Sequence, residues 1–128
     1  MYPHSAEDVH TLFEQRFNAG DLDGLMALFE PRARLIAQPG TTVQGLDAIR
    51  DAMGGFLALR GRFSFSRRDL LPGDDLAILW SDWQLEGTAV DGAPVRLSGR
   101  TADVVRRQSD GRWLIALDNP WDVPKASS

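Results

Sequence analysis

Cysteine is absent from the 128 residues of this chain, which excludes disulfides and thiolate metal sites. Only one tyrosine and two histidines occur, so phenolic and imidazole groups are scarce. His4 and His10 stand near the N-terminus and do not have the spacing of metal ligands. No glycine pattern forms a phosphate-binding loop. We therefore expect neither a metal nor a cofactor.

A surplus of basic residues is also lacking, because the formal net charge is −4, which argues against nucleic acid as a partner. No run reaches the ~20 apolar residues of a membrane span, and the N-terminus lacks a signal-peptide profile. We expect a cytoplasmic protein with one domain over residues 1–123 and a disordered tail over 124–128.

The first half of the chain has helical periodicity. "SAEDVHTLFEQRFNAG" predicts a helix capped by Ser5 and ended by Gly20. Asp21 is then expected to cap a short helix, "LDGLMALF", that ends before Pro31. "GLDAIRDAMGGFLALRG" predicts a third helix, and "ARLIAQ" between them predicts a short strand.

After Gly61 the apolar pattern changes to the alternation of strands. Four runs are separated by turn residues: "RFSFSRRDLL", "DLAILWSDWQLEG", "PVRLSGRTADVVRRQ" and "RWLIALDN". Helices followed by an antiparallel meander indicate an α+β fold, with the N-terminal helices packed on a bent, mainly antiparallel sheet.

The last hairpin brings two acids to one face of the sheet. A two-residue loop at Ser109-Asp110 pairs Asp103 with Ala116 and Thr101 with Asp118. Asp103 and Asp118 then become diagonal neighbours, about 7–8 Å apart. Either this face is exposed to water and the opposite face is the core, or both faces are covered and the acids line a pocket.

The sequence also leaves open which side chains of the preceding strand point toward these acids. A tight loop at Asp91-Gly92 directs Trp80 and Asp82 toward the acids, which would add a third carboxylate. The other possibility, in which Ser81 and Trp83 face the acids, is kept beside it.

The pieces "NAGDLDGLMALF", "GLDAIRDAM" and "DGRWLIALDNPWD" together resemble the SnoaL-like and ketosteroid isomerase-like branch of the nuclear transport factor 2 superfamily. The resemblance covers nearly the whole chain. It implies a strongly curved sheet that forms a cone-shaped pocket for a hydrophobic small molecule, closed by the N-terminal helices. It also implies a homodimer formed by the outer face of the sheet, which on the predicted pairing carries Ala102, Val104, Ile115 and Leu117.

This resemblance also implies site residues. The acids Asp103 and Asp118 become the candidate catalytic residues. The candidate substrate-binding residues are Phe13, Phe17, Ala37, Phe56, Trp83, Thr101 and Ala116.

Two positions depart from the family pattern. The residue that matches the isomerase's catalytic base is Ala37, and the one that matches its tyrosine is Phe13. Conventional ketosteroid isomerisation is therefore not expected. The Asp-Arg-Asp arrangement of related epoxide hydrolases is not expected either, because Arg100 and Asp103 point to opposite faces of a regular strand.

Two functional hypotheses follow. In the first, an isomerase- or cyclase-type lyase acts on a hydrophobic carbonyl compound, with Asp118 as general acid/base and a protonated Asp103 bonded to the substrate oxygen. In the second, the same scaffold is a non-catalytic ligand-binding or accessory protein.

Overall fold

The computed structural model describes residues 2–121 of the chain, and the predicted tail at 124–128 lies outside them. Within these residues, three helices precede or interrupt a sheet of six strands. The elements are α1 (Asp8–Asn18), α2 (Leu22–Met26), β1 (Phe29–Gln38), β2 (Thr41–Gln44), α3 (Leu46–Leu57), β3 (Arg62–Pro72), β4 (Leu76–Thr88), β5 (Pro94–Arg107) and β6 (Trp113–Asn119).

The first two helices form where they are predicted, but α1 begins later than predicted and α2 ends earlier, at Met26. Helix α1 begins at Asp8, and no side chain caps it, so the predicted Ser5 cap is wrong. The backbone carbonyl of Ser5 instead accepts the Asp8 N–H in a preceding turn. Gly20, with a φ of 69°, ends the helix as predicted. Asp21 caps α2 by accepting the Gly24 N–H.

The third helix also forms where the sequence predicts it. Gly45 precedes it with a φ of 90°, a conformation that L side chains rarely adopt. Ile49 and Met53 are buried on its inner side. The cost of two interior glycines, Gly54 and Gly55, does not end the helix because its apolar face packs against the core.

The strands form one curved, unclosed sheet in the order β2-β1-β6-β5-β4-β3. All pairs are antiparallel except β1 with β6, which is parallel. Strand β1 begins at Phe29, earlier than predicted, and β2 was not predicted. The helices pack on the concave side of the sheet and confirm the predicted α+β fold. No helix among the described residues is long and apolar enough to cross a membrane.

The pairing of the last hairpin corrects the predicted register. Asp103 lies directly opposite Asp118, whereas the prediction placed Ala116 there. A longer loop shifts the pairing by one residue, so that Arg107 faces Trp113, and an irregularity beside Val104 shifts it by one more. Since two shifts restore the alternation, both acids still share a face.

Between the loop and that irregularity, the pairing is shifted by only one residue. In this part of the hairpin, the side chains of β6 therefore point to the face opposite to the predicted one. Ile115 therefore lies opposite Val105 on the core side, where it is 1% exposed. The prediction that Ile115 belongs to the outer face is wrong. Leu117, which is 48% exposed, remains on the outer face with Val104.

The facing of β4 is also decided. Ser81 pairs with Thr101 and is fully buried, so Ser81 and Trp83 point to the core side. Asp82 pairs with Arg100 on the outer face. The alternative in which Trp80 and Asp82 face the pair of acids is wrong.

Candidate active site

An apolar cavity of about 50 Å³ lies between the helices and the inner face of the sheet. Aromatic rings form most of its wall. Its ionisable side chains come from the neighbouring strands β5 and β6. The lining residues are Phe13, Phe17, Leu35, Met53, Phe56, Phe63, Phe65, Trp83, Leu85, Thr101, Asp103, Asp118, Pro120 and Trp121.

Most of the predicted site residues meet at this cavity. Both candidate catalytic acids line it, and so do five of the candidate substrate-binding residues: Phe13, Phe17, Phe56, Trp83 and Thr101. Ala37 and Ala116 do not line the cavity. Each stands where the strand pairing is irregular, Ala37 between β1 and β2 and Ala116 between β5 and β6.

The face that carries the two acids is buried. Asp103 is 3% exposed, Asp118 is 7% exposed, and Thr101, two residues before Asp103 on β5, is 2% exposed. The alternative in which this face is exposed to water is therefore wrong. The helices cover it, which the alternation of β5 and β6 alone could not reveal.

Asp103 has hydrogen-bond partners on both carboxylate oxygens. Its Oδ2 lies 2.5 Å from Nε2 of His10, which reaches it from α1. Its Oδ1 accepts from the Thr101 hydroxyl at 2.7 Å and from the Asn119 backbone N–H at 3.3 Å. Because these donors favour the charged form, Asp103 is held as a carboxylate.

His10 is the site residue that sequence reasoning missed. Its ring is buried, stacks on Phe65 with 4.3 Å between ring centroids, and has Nδ1 2.9 Å from the Ser81 hydroxyl. The helical spacing could have revealed it, because His10 lies three and seven residues before Phe13 and Phe17 on the same face of α1.

The two acids have opposite pKa shifts. Burial by itself raises the pKa of Asp103, but hydrogen bonding and attraction to His10 outweigh this effect and lower it below its ordinary value. Burial, followed by repulsion from the Asp103 charge, raises the pKa of Asp118 well above its ordinary value. The directions are opposite to those of the hypothesis, which gave the raised pKa to Asp103, since a proton on this pair is held more strongly by Asp118 than by Asp103.

Two tryptophans join the end of the sheet to the cavity wall. The Trp83 indole N–H donates to the Pro120 carbonyl, and the Trp121 indole donates to the Ile36 carbonyl at 3.0 Å. Their rings meet edge to face, 5.4 Å apart. A Cβ at Gly99 would lie 2.7 Å from the Pro120 carbonyl oxygen, so a glycine permits this close packing.

Arg100 lies on the other side of the sheet from the acids. It donates to Asp82 at 2.9 Å, and the Asp-Arg-Asp arrangement of the epoxide hydrolases is not formed. Over residues 2–121, no group of three or more His, Cys, Asp or Glu side chains is arranged to hold a metal ion.

Comparison with known families agrees with this architecture. The model of the SnoaL-like domain matches residues 9–115. The chain belongs to the SnoaL-like family. This membership confirms the resemblance found in the sequence, and the matched region contains most of α1, the other two helices, Asp103 and most of the strands. A search of curated proteins finds no match.

Solved structures share the fold of this SnoaL-like protein. Rv3472 of Mycobacterium tuberculosis, described as of unknown function, has 21% identity and a TM-score of 0.77 over 95% of this chain and 76% of its own. A proposed dehydratase of the NTF2-like family from Streptomyces avermitilis has 14% identity and a TM-score of 0.78, covering 93% and 94%. A ketosteroid isomerase-like protein from Erwinia carotovora atroseptica has 14% identity and a TM-score of 0.74, covering 88% and 89%. Likeness at these identities shows the fold and not the reaction.

Proposed function

We propose that this SnoaL-like protein is a small-molecule enzyme that transfers protons to and from a flat, hydrophobic carbonyl compound, as an isomerase, cyclase or other lyase does. The observation that carries the proposal is a buried pair of acids at the wall of an aromatic cavity, in which the pKa of Asp118 is raised and that of Asp103 is lowered. Pairs of acids with separated pKa values are a mark of acid–base catalysis.

Asp118 is the proposed proton-transfer residue. Its raised pKa brings proton release closer to neutrality, where a general acid or base is most effective. As a carboxylate, Asp118 accepts a proton from the carbon next to the carbonyl, and as an acid it returns that proton. Asp103 contributes its charge, because that charge keeps the proton on Asp118.

The cavity wall supports the choice of substrate class. The lining side chains are almost all apolar, and seven of them are the aromatic residues Phe13, Phe17, Phe56, Phe63, Phe65, Trp83 and Trp121. Faces of such rings favour flat, apolar ligands. A volume of about 50 Å³ is far below the ~300 Å³ of small-ligand pockets, so the ligand enters as lining side chains move apart.

A hydrogen-exchange assay on model ketones tests the proposed proton transfer directly. A panel of flat ketones, such as indanones and tetralones, is incubated with the protein in D₂O, and deuterium at the α carbon is followed by NMR. We expect faster deuteration of at least one ketone, at a rate that rises with pH through the raised pKa of Asp118. Asp118→Asn should lower that rate by about 10²-fold or more.

Asp82→Asn is the matched control, because Asp82 lies on the outer face of the same sheet. It should leave deuteration unchanged. Undiminished deuteration by Asp118→Asn would contradict the proposal.

Non-catalytic ligand binding is the second candidate, and one observation favours it. Among the described residues, no fully buried side-chain nitrogen or oxygen atom lacks a hydrogen-bond partner, so none of these atoms needs a substrate to complete its hydrogen bonds. In that case the ketones quench the fluorescence of Trp83 and Trp121 on binding, but no α hydrogen exchanges.

For either candidate we propose that the protein is a homodimer in the cytoplasm. We also propose that its single domain extends to residue 123.

A further inference from the structure

The structure holds a buried titratable group that the proposed reaction does not use, namely His10. Its ring lies between two separate concavities of the molecule. On one side Nε2 contacts Asp103, which lines the aromatic cavity. On the other side Nδ1 contacts Ser81, and these two side chains form the buried floor of a surface groove, with His10 2% and Ser81 0% exposed.

The groove differs from the cavity in its chemistry. It lies between α1 and the β3–β4 pair, and charged side chains line it: Glu7, Arg68 and Asp69. It shares no lining residue with the aromatic cavity. The hydrogen bond between His10 and Asp103 connects a side chain of the groove with an acid of the cavity.

We propose that His10 and Ser81 form a proton relay that connects the Asp103–Asp118 pair with water in this groove. The relay rests on the proposed function for its use in turnover. It gives the acids a route for proton exchange while a hydrophobic ligand fills the cavity. His10 and Ser81 are then positioning and relay residues, because neither lines the cavity.

The chemistry of the two side chains suits this role. A serine hydroxyl both donates and accepts, so Ser81 can bond to Nδ1 whether or not that nitrogen carries a proton. When a proton enters, the floor of the groove opens locally, and a hydronium ion gives its proton to the Ser81 oxygen and leaves as water while the Ser81 proton passes to Nδ1. The proton on Nε2 then moves to Asp103. The net change is one proton from the groove to the acid pair, and one outward transfer restores the starting state.

Carboxyl NMR on the intact protein tests the relay without any ligand. Aspartate is labelled with ¹³C at the carboxyl carbon, and the proton-exchange rate of Asp118 is measured from line broadening near its titration midpoint. We expect Ser81→Ala to slow this exchange about tenfold or more. His10→Gln should have the same effect, since a glutamine amide can bond to Asp103 but cannot relay a proton.

Asp82→Asn is the matched control, because Asp82 lies on the outer face of the same sheet. It should leave the titration midpoint and the exchange rate of Asp118 near those of the wild type. A merely structural role of Ser81 would move the midpoint and leave the rate unchanged. The indole N–H signal of Trp83 reports that each variant is folded.

Unchanged exchange in folded Ser81→Ala or His10→Gln, or equal slowing in Asp82→Asn, would overturn the relay. Failure of the proposed function gives a different result, since it would appear as undiminished ketone deuteration in Asp118→Asn. The two proposals can therefore fail separately.

Discussion

The two faces of strands β4, β5 and β6 carry the same kinds of side chain in opposite environments. On the outer face, Asp82 is about one-third exposed and pairs with Arg100, with Arg67 3.6 Å away. On the inner face, Asp103 and Asp118 are buried and have one histidine in place of arginines. Desolvation is the largest influence on the pKa of both inner acids.

This difference shows that the two faces of one sheet can place the same type of side chain, aspartate, in water on one side and in the protein interior on the other. A partly exposed carboxylate beside two guanidinium groups is screened by water and contributes little to stability. A buried pair of acids cannot both be ionised without a high cost, so burial and the Asp103 charge raise the pKa of Asp118. The inner face thus holds an acid with a raised pKa, and the outer face holds an ion pair.

The largest expected effect is the loss of Asp103. Asp103→Ala removes the carboxylate that His10 and Thr101 contact in the interior, which should lower the free energy of unfolding by about 3 kcal/mol. Asp82→Ala on the outer face should lower it by about 1 kcal/mol or less. Urea denaturation at neutral pH measures both. Equal losses would show that the two faces do not differ as described.

A smaller effect of opposite sign is expected for Asp118. Its raised pKa means that the folded state holds a proton that the unfolded state releases, so stability falls as pH rises from the ordinary aspartate pKa through the raised one. Asp118→Asn removes this loss. The variant should match the wild type near pH 4 and be more stable at pH 9 by at least about 1 kcal/mol.

Urea denaturation across this pH range measures the Asp118→Asn effect. Asp110→Asn is its control, because a backbone N–H of Arg112 lowers the pKa of Asp110 and any pH effect must have the opposite sign. A stability difference for Asp118→Asn that does not grow with pH would contradict a raised pKa.

The smallest effect on folding is expected at the outer face. Leu117 is 48% exposed, so Leu117→Glu should change the free energy of unfolding by only about 0.5 kcal/mol or less. If the outer face forms the predicted homodimer, the same change should convert it to a monomer in light scattering. A wild-type protein that is already monomeric at micromolar concentration would refute the dimer.

The sequence predicted much of the site through the parity of two strands. The prediction that Asp103 and Asp118 share a face is right because the two errors in the predicted register cancel at that end of the hairpin. Near the loop they do not cancel, and Ile115 was assigned to the wrong face. The helical spacing could have placed His10 on the buried face of α1, but it could not identify the partners of His10, which lie 71 and 93 residues away along the chain.

By itself the sequence determined the helices, the meander and the alternation that brings two acids together. These features depend on neighbours a few residues apart, such as Asp21 capping its own helix. Only the tertiary structure decided that the acids are buried, because α1 covers their face. It also decided which acid keeps the proton, since that depends on His10 meeting Asp103 and not Asp118.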